Sequence, residues 1–239
     1  MKDYISNREL EELGEGLVSR FCEWAGMTKA PKCVDIAGIA DFLGLKIIFE
    51  HIAEEEPDTI GFLSDGKTPL MVKRGGRIVS FLFPLGTIVL DAVLCPDAES
   101  GRRRFTIAHE IAHFVICRHN PMPQFHLIYD TERAYSAEEM KRHLTVTEMQ
   151  ADRLAAVILM PADTVKAALL EFHGGIKVSV YGETVIHRDD KNAIHMMAAS
   201  LGVSYTALLI RLKELSLLDY WPLSEYVDTT LRGGTLPWL

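Results

Sequence analysis

The pentad His109-Glu110-Ile111-Ala112-His113 constrains this chain more than any other stretch. At about 100° per residue, helix positions four apart share a face one turn apart, so both imidazoles can reach the same point. Glu110 sits beside that face. Two imidazole nitrogens and a neighbouring carboxylate are the parts a catalytic zinc site needs: ligands for the ion, and a group able to take a proton from an attacking water. At this chain's usage of His and Glu, chance would produce the pentad only about 0.03 times. Its flanks are Phe105, Ile107, Ala108, Ile111, Ala112, Phe114, Val115 and Ile116. They describe a buried helix, where unpaired polar side chains are costly.

The remaining chemistry of the sequence narrows the setting. Residues 1–9 carry no apolar core of the kind a signal peptide needs. The apolar stretch from Ile78 to Leu94 is interrupted by Ser80, Pro84, Gly86 and Asp91, too often to span a bilayer. The expectation is a cytoplasmic protein without membrane contact. Cys22, Cys33, Cys95 and Cys117 form no CxxC pair, so reduced thiols are expected, with Cys117 buried on the motif helix, and thiolate ligation of zinc is disfavoured. A formal net charge of −8 argues against a large phosphate-binding face and suits a basic protein or peptide partner.

Periodicity organises the chain. Apolar residues Leu10, Leu13, Leu17, Val18, Phe21 and Trp24 predict a helix over 8–26 closed by Gly26, and Val34 to Leu43 predicts a second, stopped by Gly44. The period then changes to that of strands at 45–49, 59–64 and 69–73, and Pro84 and Gly86 divide the apolar run from Ile78 into two segments. A small sheet thus precedes the motif helix, expected over 102–119. Helices are expected at 137–143 and 146–160. The stretch 176–186 alternates like a hairpin or extended arm, and two helices follow at 189–201 and 204–215. The expected division is 1–33 as N-terminal helix and linker, 34–186 as the domain that carries the candidate zinc site, and 187–239 as a helical subdomain packed on it.

A catalytic zinc site usually takes three protein ligands and keeps one position open. Downstream candidates are His119, His126, His143, Glu132, Glu138, Glu139 and Glu148. His119 stands six residues after His113, but a continuing helix turns it about 240° away, and Ile116 occupies the place where a sharp turn would need glycine. Glu148 has the stronger case, with Glu138 and Glu139 next in line. Glu148 and Asp152 share a helix face, so one can bind metal while the other accepts a proton from a ligand imidazole. The competing explanation makes both a polar helix start favoured by the dipole.

With both motifs in view, the chain resembles the ImmA/IrrE family of metallo-endopeptidases, which belongs to the gluzincin-like zincins. The resemblance rests on Arg103-Arg104-Phe105-Thr106-Ile107-Ala108 running into the pentad, and on Glu148-Met149-Gln150-Ala151-Asp152-Arg153-Leu154-Ala155-Ala156 leading to Leu159-Met160-Pro161. A weaker match runs from Val203-Ser204 through Arg211-Leu212 to Leu215. It implies an α+β, zincin-like metalloprotease domain, with a small mixed or antiparallel sheet packed on the motif helix and a helical C-terminal part. It further implies one zinc ion per chain on His109, His113 and Glu148, Glu110 as the catalytic carboxylate, and cleavage of a helix-turn-helix repressor in a stress or mobile-element response.

Other readings compete with this one. A non-catalytic regulator that keeps zinc as a structural plug and binds a repressor or toxin partner would not need Glu110. DNA binding through Ala193 to Leu215 is disfavoured, because the second helix offers only Arg211 and Lys213 as cations, beside Glu214. A donor assisting the oxyanion is sought among Tyr129, Tyr135, Tyr181, His187 and His195, and the sequence does not choose among them. Arg102-Arg103-Arg104 reads as a basic shoulder, solvated or in touch with a substrate.

Overall fold

Ser6 starts the first helix. Its hydroxyl accepts from the Glu9 amide (3.3 Å) while Glu9 Oε2 accepts from the Ser6 amide (2.8 Å), a reciprocal capping box. Helix α1 (Asn7–Trp24) then buries Leu10, Gly14, Val18, Phe21 and Cys22 along one face. The computed structural model describes residues 5–54, 59–119 and 137–232, without side chains for 117–119, 137–145 and 228–232. The chain divides into two units, Met1–Pro161 and Ala162–Leu239.

In the first unit α2 (Ile36–Phe42) is capped by Asp35, whose carboxylate accepts from the Gly38 amide at 2.9 Å. Five strands follow: β1 (Lys46–Glu50), β2 (Gly61–Leu63), β3 (Pro69–Arg74), β4 (Arg77–Leu82) and β5 (Thr87–Asp91). The sheet order is β1-β5-β2, with β1 parallel and β2 antiparallel to the central strand. β5 is buried from Thr87 to Leu90, as a strand covered on both faces must be. β3 and β4 form a hairpin across Gly75-Gly76, both at positive φ (58° and 77°), the backbone a tight two-residue turn requires. Gly86, at φ 76°, ends the apolar run's first half and lets β5 begin.

Helix α3 (Ser100–His119) packs on β2 and β5, and α4 (Ala137–Leu159) packs on α3 and α1. The architecture is therefore α+β, with a small mixed sheet against the motif helix. One expectation needs correcting. The helices expected at 137–143 and 146–160 are one continuous helix, because neither glycine nor proline interrupts 137–159.

The second unit contains α5 (Ala162–Phe172), β6 (Val178–Tyr181), α6 (Arg188–Leu201), α7 (Tyr205–Glu214), β7 (Leu218–Trp221) and α8 (Leu223–Arg232). The alternating stretch at 176–186 closes only an isolated bridge of its own, Tyr181 to Val185. Its strand instead pairs in parallel with β7, some forty positions on. Among the described residues no single helix is long and apolar enough to cross a membrane.

The α1–α4 crossing is close because Gly14 has no side chain: a Cβ there would lie 2.5 Å from Val157 Cγ1. Nothing lies within 4 Å of the corresponding position at Gly16, on the exposed face of the same helix. Alanine gains up to about 1 kcal/mol of helix propensity at either site, and overpacking costs about 1–3 kcal/mol at Gly14 alone. Urea denaturation should show Gly16→Ala more stable by up to about 1 kcal/mol and Gly14→Ala less stable by about 1 kcal/mol. Equal effects at the two sites would contradict the packing described.

Candidate metal centre

The start of α3 is fixed by its arginines. Arg103 donates to the carbonyls of Leu94 (2.9 Å) and Cys95 (2.8 Å), and Arg104 donates to the carbonyl of Val34 (2.8 Å). The basic shoulder is thus in large part an anchor for the helix. Arg102 faces Glu99 at 4.0 Å on the surface. Seven and eleven residues after Arg102, one face of α3 carries His109 and His113, with ring centroids 4.6 Å apart and an interplanar angle of 77°.

Helix α4 brings two carboxylates to those rings. Glu148 Oε2 is 3.1 Å from His109 Nε2, and Oε1 is 3.4 Å from His113 Nε2. The two Nε2 atoms are 3.0 Å apart. Asp152 Oδ1 lies 2.9 Å from His109 Nδ1, placed to accept its proton, and in the neutral ring that bond leaves Nε2 free to donate an electron pair. Glu148 is about three turns inside α4, so a helix-start dipole does not account for it.

The donor set fits a zinc ion. With bonds of about 2.0–2.1 Å, tetrahedral zinc holds neighbouring ligand atoms about 3.3 Å apart. The separations of 3.0, 3.1 and 3.4 Å lie close to that value, and one atom from each of His109, His113 and Glu148 falls within a 4.8 Å group. Both histidine side chains are less than a fifth exposed. Electron-rich atoms packed this closely, with both rings screened from water, are best satisfied by a proton or a metal cation between them.

The electrostatics agree. Burial opposes the charged form of His109, but hydrogen bonds to Asp152 and Glu148 and the charges of Glu110 and Glu148 outweigh it, pushing its pKa up to about 10. Burial also opposes the charged form of Glu148, yet hydrogen bonds and charge from His109 and His113 hold it well below the usual carboxylate range. In the metal-free protein His109 is thus held in its charged form near neutral pH.

Glu110 is not one of the three grouped donors, although its charge reaches His109. It is buried at 6% exposure, and its carboxylate rests against β2 at Gly61. That glycine escaped the sequence reading, because no local pattern places it beside Glu110. Of the earlier candidates, His126, Glu132, Tyr129 and Tyr135 fall outside the described residues, as do the side chains of Cys117, His119, Glu138, Glu139 and His143. In the second unit Tyr181 and His187 pack against each other and Tyr226, and His195 stacks on Tyr205 with centroids 4.4 Å apart. Cys22, Cys33 and Cys95 are free.

Residues 93–213 match the model of the IrrE N-terminal-like domain, a peptidase family. The match takes in the motif helix, the described part of α4, and α5 through most of α7. No curated protein matches the chain. Among solved structures it is similar to a "Mycobacterium tuberculosis transcriptional regulator", at 15% identity and a TM-score of 0.44, over 88% of this chain and 47% of that one. The chain therefore spans about half the length of that structure.

Two measurements follow from the geometry. Metal analysis should find one ion bound by the wild type and little in His113→Ala or Glu148→Ala, because two ligands compete poorly with water and chelators. Full occupancy in Glu148→Ala would move the third ligand elsewhere. Asp152→Asn should weaken binding roughly 10- to 100-fold with the fold intact. The second concerns protons. The raised His109 stabilises the metal-free fold fully below about pH 6.5 and loses that contribution as pH rises through about 10. The lowered Glu148 keeps its contribution above about pH 4.5 and loses it only in strong acid. Metal must displace the His109 proton, so calorimetry in two buffers at pH 7 should show about one proton released per ion, with affinity rising with pH. Binding without proton release would contradict the assignment.

Proposed function

The chain belongs to the ImmA/IrrE peptidase family through its IrrE N-terminal-like domain, and on that premise we propose that it is a zinc-dependent endopeptidase with a specific protein substrate. The observation that carries this reading is the arrangement of side chains on α3. His109 and His113 converge with Glu148, while Glu110, one residue from a ligand, lies outside that trio. A trio of protein ligands leaves a fourth position, and a structural plug would close it.

His109, His113 and Glu148 would hold the zinc ion. Bound there, zinc supplies Lewis acidity that makes water nucleophilic near neutral pH and polarises a peptide carbonyl. Glu110 takes the proton of the attacking water on its carboxylate and passes it to the leaving amine. Its burial keeps bulk water from competing for that proton. Asp152 holds the His109 ring in the tautomer that presents Nε2.

The substrate class in this reading is a helix-turn-helix transcriptional repressor, cleaved in the cytoplasm to relieve repression in a stress or mobile-element response. Family resemblance supports this part. The experiment incubates zinc-loaded wild type and Glu110→Gln with helix-turn-helix repressors encoded beside the gene and maps cuts by mass spectrometry. Glu110→Gln should keep its zinc and lose about 100- to 10,000-fold in cleavage, the usual scale for a proton carrier. A repressor inactivated equally by both proteins and left uncut would replace the enzyme with a binding regulator.

A further inference from the structure

Glu110 and Arg211 are the buried charged side chains among the described residues. Among those residues no hydrogen bond holds the Glu110 carboxylate, and the wall beside it is β2. At the point of contact β2 carries Gly61, which pairs with Leu90 of the central strand. Its backbone lies outside the left-handed region, so the glycine is not there to make a turn. What matters is the space. A Cβ at Gly61 would stand 2.5 Å from Thr106 Cγ2 and 2.8 Å from Glu110 Oε1, and Cβ atoms essentially never approach closer than 3.0 Å.

The direction in which such a clash relaxes can be read from what surrounds it. β2 is held by its ladder: the Asp91 amide donates to the Ile60 carbonyl (2.9 Å), and the Ser64 amide to the Thr87 carbonyl (2.8 Å). Thr106 is β-branched and its hydroxyl donates to the Arg102 carbonyl at 3.0 Å, so its methyl moves little. The Glu110 carboxylate is the end of a flexible side chain. It would yield, by about 0.6 Å, from 2.8 Å to the 3.4 Å where ordinary contact begins.

We infer that Gly61 is a positioning residue for the peptidase reaction: by carrying no side chain it leaves the seat in which the Glu110 carboxylate waits, and β2 thereby sets where the proton is taken. This rests on the reading of Glu110 as proton carrier. The three atoms nearest a Cβ at Gly61 belong to Thr106 and Glu110 and none to the metal trio, so the seat and the metal are separable by mutation.

The test compares full-length, zinc-loaded wild type with Gly61→Ala, Thr106→Ser and the double variant. Removing the threonine methyl relieves the closer clash and should restore any stability lost in Gly61→Ala, while leaving the contact with Glu110. Zinc content should be unchanged in all three. The carboxyl 13C resonance of Glu110, assigned by its loss in Glu110→Gln, should move in both chains carrying Gly61→Ala and stay in Thr106→Ser. Turnover on an internally quenched peptide library should fall roughly tenfold in the same two chains with KM within about twofold, given that a misplacement of about 1 Å can cost about 100-fold. An unmoved Glu110 resonance would overturn the inference, as would turnover that recovers together with stability in the double variant. A moved resonance in a protein whose wild type cleaves nothing would uphold the seat and sink the peptidase reading.

Discussion

Two imidazole nitrogens and a carboxylate from two helices are brought together, with the nitrogens 3.0 Å apart and the two Glu148 oxygens 3.1 and 3.4 Å from one nitrogen each, and much of the first unit serves that convergence. Like-polarity atoms at this range repel unless a proton or a cation lies between them. The arrangement therefore survives only if α3 and α4 are fixed against each other. Arg103 and Arg104 lock the start of α3 to three backbone carbonyls. On the other side α1 approaches α4 through Gly14, and Gln150 on α4 donates to the Ile5 carbonyl at 2.9 Å. These contacts are far from the donors in sequence, yet they set the register of Glu148 and Asp152.

The motif helix has two supports with two duties. Packing on α4 positions the histidines, and packing on β2 positions the carboxylate between them in sequence. In the proposed reading, holding an ion and moving a proton therefore depend on different neighbours. Such a division suits chemistry in which ligands must not move while an acid–base group exchanges protons.

Much of this was legible in the sequence because the informative residues are local. The i,i+4 spacing of His109 and His113 and of Glu148 and Asp152 needs only helix geometry. The hairpin glycines and Gly86 mark where strands must end. The break expected near Thr145 was absent because β-branched residues weaken a helix without stopping it. What stayed hidden is non-local. The partner of Val178–Tyr181 lies beyond two helices, and alternation within a strand says nothing of what it pairs with. Gly61 likewise reads as an ordinary strand-start glycine until folding sets it against Glu110. The dipole explanation for Glu148 was open until the length of α4 became known.

The central claim is that His109, His113 and Glu148 hold one zinc ion and leave a position for chemistry. X-ray absorption at the zinc edge of the loaded full-length protein tests it most directly. The account predicts about four nitrogen or oxygen neighbours at about 2.0–2.1 Å, with outer-shell scattering from two imidazoles and no sulfur. A sulfur neighbour at about 2.3 Å, or outer-shell scattering from a single imidazole, would contradict it.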